Sequence, residues 1–183
     1  MDYGWSEYHG VMMEYDYSNC RVFLSRGTGI IAALVRWQTR SQWSHCGLLL
    51  PDGSVIESVS GDGVHNVNLT DTEGYEFFVV EGMAPEQWKM AIDWAFLQVG
   101  KKYDYWSVVR FVWRGHFPEN DKLYCAELVF EALAKAGVNL LDRIVSWEVA
   151  PQHIGISPLL VSNTLNQDTG GSVGDSQLNK ASE

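Results

Sequence analysis

The sequence has few basic residues, no long apolar run and no even set of cysteines. Its 183 residues include 13 Lys and Arg against 23 Asp and Glu, which gives a net charge of −10. This balance argues against nucleic-acid binding, which depends on clustered cations, and it offers little attraction to anionic lipids or wall polymers. No apolar run approaches the roughly 20 residues that are needed to span a bilayer. We therefore expect neither a nucleic-acid partner nor a transmembrane segment.

The cysteines and the first residues bear on the compartment. Three cysteines cannot form a complete disulfide framework, so a reducing compartment is the simpler expectation. Residues 1–7 lack the basic and apolar regions of a secretory signal, which predicts a protein that is cytoplasmic at synthesis. No cysteine or histidine pair has the spacing of zinc ligands, and Cys46 should point away from His45 by strand alternation. We expect no metal and no cofactor.

Composition divides the chain into three parts. Residues 1–19 form an acidic, tyrosine-rich arm, and residues 20–161 carry the apolar patterns of a folded domain. Residues 162–183 are almost free of apolar side chains, which predicts a polar and flexible tail.

Apolar periodicity within the central part predicts an α+β fold. Strands are expected at 21–24, 65–69 and 75–80 and in a hairpin around Pro51-Asp52-Gly53, and together they would form a small antiparallel sheet. Helices are expected from Gly29 to Arg40, from Pro85 to Gly100 and from Cys125 to Gly137. The first of these helices should bury Ile30, Ile31, Leu34 and Trp37. Residues 106–113 fit a helix or a strand.

Cys125 opens the helix that carries the strongest chemical signal. The first turn of a helix presents unpaired N–H groups and the positive end of the dipole, and both favour thiolate over thiol. Such a thiolate is the attacking group of a cysteine hydrolase. The alternative is that Cys125 is a small buried side chain, because free cysteine is among the most buried residue types.

A nucleophilic cysteine needs a base, and His45 is the best placed of the five histidines. It begins the first strand of the predicted hairpin, whereas His9, His65, His116 and His153 lie in or beside expected loops or the arm. Counting outward from the turn brings His45 opposite Glu57, within one or two residues. A carboxylate there could orient the imidazole and stabilise its charged form. The alternative for His45 is a hydrogen-bonded strand histidine.

Four motifs in this order resemble the YiiX-like group of permuted NlpC-type cysteine hydrolases. They are Trp-Ser-His-Cys-Gly-Leu at 43–48, Val-Ile-Glu-Ser at 55–58, Gly-Lys-Lys-Tyr-Asp-Tyr at 100–105 and Tyr-Cys-Ala-Glu-Leu-Val at 124–129. The cysteine helix comes first in the ordinary family, but here it follows the histidine hairpin. The resemblance implies a circularly permuted papain-like fold, with a small antiparallel sheet packed against helices and the nucleophile at a helix N-terminus. The chain departs from the family at Ala126, where the nucleophile motif usually has serine.

The resemblance also implies roles for individual residues. Cys125 would be the nucleophile, His45 the general base and then acid, and Glu57 the residue that orients His45. Tyr103 would contact the oxyanion or the substrate, and Trp43 and Tyr124 are further candidates for substrate contacts.

The implied activity is hydrolysis of an amide or peptide bond in peptidoglycan through an acyl-enzyme. A lipid or acyl-amide hydrolase or acyltransferase of the same family is the nearest alternative. A second alternative is a structural virion or assembly component that docks into an assembly such as a phage tail through its terminal arms. For a peptidoglycan substrate, a phage virion or lysis pathway would deliver the protein to the cell envelope.

Overall fold

A six-stranded antiparallel sheet forms the centre of the computed structural model, which describes residues 16–104, 122–142 and 144–163. The strands are β1 (Arg21–Ser25), β2 (His45–Leu49), β3 (Ser54–Val59), β4 (Gly63–Asn68), β5 (Tyr75–Val80) and β6 (Leu160–Ser162). Their order across the sheet is β4-β3-β2-β1-β5-β6, and all neighbours are antiparallel. The described helices are α1 (Ile30–Thr39), α2 (Pro85–Phe96), α3 (Cys125–Lys135) and α4 (Pro151–Gly155). The expected α+β class is therefore confirmed.

The main core lies between one face of the sheet and helices α2 and α3. Strand alternation sends Val22 and Leu24 of β1 into this core, where they meet buried side chains of both helices. Phe23 points to the other face and packs in a smaller cluster with Leu49, Val55 and Phe77. Both faces of β1 are therefore buried, as befits a strand inside the sheet between β2 and β5.

The predicted hairpin is present and its turn is held by local hydrogen bonds. Asp52 Oδ1 accepts from the backbone N–H of Ser54 at 2.9 Å and from its hydroxyl at 2.7 Å. Gly53 has a φ of 82°, a conformation that glycine adopts without steric cost. This turn aligns Leu49 with Val55 and Gly47 with Glu57 across the two strands.

Helix α3 begins at Cys125, as the periodicity predicts, and its apolar face is buried. It ends at Lys135, and Gly137 follows with a φ of 78° in the position of a helix stop. Helix α2 begins at Pro85 as expected but ends at Phe96, so Val99 lies beyond it and is exposed.

The predicted inward face of α1 is wrong. Ala32 and Val35 are buried and Ile31 is partly buried, whereas Ile30, Leu34 and Trp37 are exposed. The apolar residues of this helix occupy more than one face, so periodicity alone does not determine which side packs on the protein.

Some expectations differ from the structure at the end of the domain, and others concern residues that the structure does not describe. Strand β6 was not predicted, and it extends to Ser162, one residue past the expected end of the domain. Residues 1–15 of the arm, the segment 106–113 and the tail from 164 lie outside the described residues. The same is true of His9 and His116. Within the described ranges, none of the helices has the length and apolar character of a membrane span.

Candidate active site

Cys125 occupies the first position of α3. The preceding residue, Tyr124, is extended (φ −99°, ψ 171°) and caps the helix without a side-chain hydrogen bond to it. The thiol therefore lies beside the first N–H groups of the helix, where a negative charge is stabilised. Its side chain is almost completely buried.

His45 lies between Cys125 and Glu57. Its Nε2 is 2.5 Å from Glu57 Oε2, and its ring also forms a hydrogen bond with the Cys125 side chain. Glu57 pairs with Gly47 in the sheet, so His45 contacts the carboxylate diagonally along the same strand face. The offset from the expected position is two residues, within the tolerance that the turn allowed. The structure thus brings the three predicted catalytic residues together.

Glu57 has a second imidazole partner that the sequence analysis did not include. His65 lies in β4 directly across from Glu57, and its Nε2 is 3.2 Å from Glu57 Oε1. The signal that could have found it is the second hairpin, because Gly61-Asp62-Gly63 is a turn sequence that makes β4 the neighbour of β3. Both carboxylate oxygens are therefore held by histidines.

These contacts favour a charged pair at the site. Burial alone would lower the pKa of His45, but hydrogen bonds and charge from Cys125 and Glu57 raise it to about 10. A hydrogen bond from Cys46 lowers the pKa of Cys125. Burial acts in the opposite direction, but a hydrogen bond and charge from His45 lower the pKa further, so that it lies well below its ordinary value. Burial would raise the pKa of Glu57, but His45 and His65 lower it. The three shifts all favour the charged form of the site, in which Cys125 is a thiolate, His45 an imidazolium and Glu57 a carboxylate.

Cys46 is the other contact that sequence reasoning missed. Alternation along β2 places Cys46 in the main core, and that core is also where α3 begins. Its thiol therefore reaches Cys125, and its backbone N–H forms a further hydrogen bond with Cys125. Burial raises the pKa of Cys46 well above its ordinary value, and the bond with Cys125 acts in the same direction. Cys46 thus stays protonated and donates to the Cys125 thiolate.

Replacing Cys46 with alanine should raise the pKa of Cys125 because a donor to the thiolate is lost. The pH midpoint of Cys125 alkylation by iodoacetamide, followed by mass spectrometry, should rise by about one unit, since a hydrogen bond to a charged group contributes about 1.5 kcal/mol or more. Cys46→Ser keeps a donor and should shift the midpoint less. Cys20→Ala is the matched control, because Cys20 is equally buried but is not among the groups that lower the pKa of Cys125. An unchanged midpoint in Cys46→Ala would contradict the assigned contact.

A side-chain hydrogen bond and a backbone bridge place the segment before Cys125 next to the sheet. The hydroxyl of Ser58, the neighbour of Glu57, donates to the carbonyl of Leu123 at 2.7 Å. Tyr103 forms a bridge with Leu123 and is buried. The chain before Tyr103 crosses the start of β4 so closely that a Cβ at Gly63 would lie 2.1 Å from the carbonyl oxygen of Lys101. Tyr103 therefore lies close to the nucleophile segment.

The other two predicted substrate contacts, Tyr124 and Trp43, pack in or against the main core. The Tyr124 hydroxyl donates to the carbonyl of Val149 and, at 3.3 Å, to that of Ser146. Trp43 is partly buried against the main core, on the loop that leads into His45. The substrate-binding roles of Tyr103, Trp43 and Tyr124 stay predictions.

Comparison with known proteins identifies a similar fold. No protein-family model matches the chain, and no curated protein sequence matches it significantly. The crystal structure of the metalloprotein yiiX from Escherichia coli O157:H7 is similar, with a TM-score of 0.61 and 21% sequence identity over 79% of this chain and 94% of yiiX. The chain therefore has a YiiX-like α+β fold. Among the described residues of this chain, no cluster of three or more His, Cys, Asp and Glu side chains could hold a metal ion.

Proposed function

We propose that this protein is a cysteine hydrolase of the permuted papain-like, NlpC-type class that works through an acyl-enzyme. The observation that carries the proposal is the continuous contact from the Cys125 thiol at the start of α3 to His45 and on to Glu57. A nucleophile, a base and a residue that orients the base are the groups that such a reaction requires. The YiiX-like fold agrees with this class.

In the first half of the reaction, the Cys125 thiolate attacks the carbonyl carbon of an amide or ester. A C–S bond forms and the carbonyl oxygen becomes negative, with the Cys125 backbone N–H and the Tyr103 hydroxyl as proposed donors to it. The His45 imidazolium then gives its proton to the leaving nitrogen or oxygen as that bond breaks. The product is a thioester on Cys125 and a neutral His45.

In the second half, His45 accepts a proton from water while the water oxygen attacks the thioester. Collapse of this intermediate breaks the C–S bond and releases the acid, which restores the thiolate and the imidazolium. Glu57 remains ionised throughout and stabilises the imidazolium at both stages. An alcohol or amine in place of water would make the same site an acyltransferase.

The substrate is proposed from the resemblance of the four motifs. An amide or peptide bond in peptidoglycan is the first candidate, and delivery by a virion or lysis pathway would bring the protein to it. A lipid or acyl-amide substrate is the second candidate, and the exposed apolar side chains of α1 beside the His45 segment favour it. A mainly structural role would depend on the arms at 1–19 and 162–183, most of which lie outside the described residues.

Selective alkylation tests the nucleophile. Iodoacetamide at mildly acidic pH should label Cys125 ahead of Cys20 and Cys46, because burial raises the pKa of Cys20 to about 12 and that of Cys46 well above its ordinary value. Intact-mass and peptide mass spectrometry would locate the label, and a denatured sample would give the accessible maximum for all three thiols. Equal labelling of the native thiols, or none at Cys125, would contradict the proposal.

Electrophilic substrate mimics then test the reaction and the substrate class. A peptide vinyl sulfone and a fatty-acyl vinyl sulfone should each be offered to the wild type and to Cys125→Ser. We expect a single covalent label per molecule on the wild type and none on Cys125→Ser. The preferred scaffold then guides the search for turnover in peptidoglycan digests or lipid extracts. If the protein reacts with a probe at Cys125 but consumes neither peptidoglycan fragments nor lipids, the structural role is favoured.

A further inference from the structure

One stretch of the chain has a charge opposite to that of the whole. Between residues 17 and 51 there is no Asp or Glu, but there are four arginines, Arg21, Arg26, Arg36 and Arg40, in a chain with a net charge of −10. Arg26 and Arg40 are exposed and lie just before and just after α1. Helix α1 therefore has exposed positive charge near both of its ends.

The outer side of α1 is apolar. Ile30 is 81% exposed, Leu34 42% and Trp37 72%, and their spacing of four and then three residues places them on one side of the helix. The opposite side, with Ala32 and Val35, packs on the protein. We refer to Ile30, Leu34 and Trp37, with Arg26 and Arg40 at the ends, as the α1 face.

Helix α1 lies next to the segment that leads into His45. Arg36 on α1 donates through Nη1 to the carbonyl of Gly27 at 2.5 Å and to the hydroxyl of Ser44 at 3.2 Å. A Cβ at Gly27 would lie 3.7 Å from the Cβ of His45. Helix α1, which carries the α1 face, is thus held against the segment that leads into His45.

We propose that the α1 face docks onto the surface of a bilayer that contains anionic lipids. Aliphatic side chains insert between lipid tails, tryptophan favours the headgroup level, and guanidinium groups bind lipid phosphates. The negative charge on the rest of the chain is repelled by an anionic bilayer. The charge distribution would therefore orient the protein with the α1 face toward the bilayer. This proposal concerns binding and does not depend on the proposed reaction.

The charge of the α1 face also favours an anionic bilayer over other binding partners of this face. A two-fold contact between copies of this chain would place the arginines of one α1 face against those of the other, and like charges disfavour it. A soluble polyanion would satisfy the arginines but would leave Ile30 and Trp37 without an apolar partner. An anionic bilayer satisfies both halves of the surface.

Vesicle co-sedimentation of the full chain tests the proposal. We expect binding to sucrose-loaded vesicles of mixed phosphatidylcholine and phosphatidylglycerol, with weaker binding to phosphatidylcholine alone and at high salt. The double variant Ile30→Ser, Trp37→Ser should lose about tenfold or more in partition coefficient. Arg26→Gln with Arg40→Gln should cost a similar factor on the anionic vesicles only. Cys125→Ser should bind like the wild type, because the thiol is not part of the α1 face.

Matched controls remove the same chemistry elsewhere. Leu97→Ser removes a 79% exposed apolar side chain at the end of α2, and Lys102→Gln with Lys135→Gln removes two exposed positive charges. Both should leave the partition coefficient within about twofold of the wild type. Equal binding to both kinds of vesicle, or α1 variants that bind like the wild type, would overturn the proposal. A dimer in gel filtration that Trp37→Ser dissociates, without vesicle binding, would assign the face to a second copy instead.

Discussion

Cys125→Ser is expected to lower the turnover of a reactive ester or amide substrate by about a thousandfold or more, with little change in the melting temperature. The substitution nearly preserves side-chain volume at an almost completely buried position, so packing at the start of α3 should survive. The chemistry does not survive, because a serine hydroxyl is not ionised by the contacts that lower the pKa of the Cys125 thiol. Steady-state kinetics and thermal unfolding of the same preparation measure the two effects.

Leu128→Ala gives the opposite pattern and serves as the control. Leu128 is fully buried one turn further along α3, where truncation should cost about 2–5 kcal/mol of unfolding free energy. Its activity per folded molecule should remain close to that of the wild type at low temperature. If Cys125→Ser instead melted early while keeping full turnover, Cys125 would be a packing residue and the structural role would be favoured.

Local signals made much of the site predictable. The hairpin depends on Pro51-Asp52-Gly53, whose turn chemistry is encoded in adjacent residues, and this turn brings His45 within reach of Glu57. The start of α3 follows from an apolar period that opens at Cys125 and a glycine that closes it. Neither feature requires knowledge of how distant segments pack.

Apart from His65, which a local turn brings opposite Glu57, the missed features depend on packing between segments that are distant in sequence. Cys46 contacts Cys125 only because α3 lies over β2, and strand alternation alone could not predict that contact. The orientation of α1 failed for a related reason, because a helix that is apolar on several sides leaves the choice of buried face to its neighbours. Strand β6 is three residues long and depends on pairing with β5.

The arrangement explains why Glu57 should matter beyond its contact with one histidine. Its carboxylate receives His45 on one oxygen and His65 on the other, so its position is fixed from two strands of the sheet. His65 thereby acts on His45 through Glu57, as a positioning residue. An imidazole that is held in this way stays in the orientation that proton transfer requires.

Glu57→Gln should reduce turnover by roughly tenfold to a thousandfold, less than Cys125→Ser but clearly measurable. The amide keeps the shape of the side chain but loses the charge that helps to raise the pKa of His45 to about 10. The active form needs an imidazolium beside the thiolate, and activity falls at high pH when His45 loses its proton. Because removal of the carboxylate charge lowers the pKa of His45, the alkaline limb of the pH–rate profile should move to lower pH. The acid limb reports protonation of the Cys125 thiolate while His45 is charged, so it should move little.

The pH–rate profile separates this electrostatic role from a structural one. Glu76→Gln is the matched control, because it makes the same change on an exposed carboxylate of β5 in the same sheet and should alter neither limb. Loss of packing in Glu57→Gln would lower activity at every pH by the same factor, whereas loss of the charge narrows the profile from the alkaline side. An alkaline limb that stays in place would mean that Glu57 does not support the imidazolium, and His45 would then owe its raised pKa to the Cys125 thiolate alone.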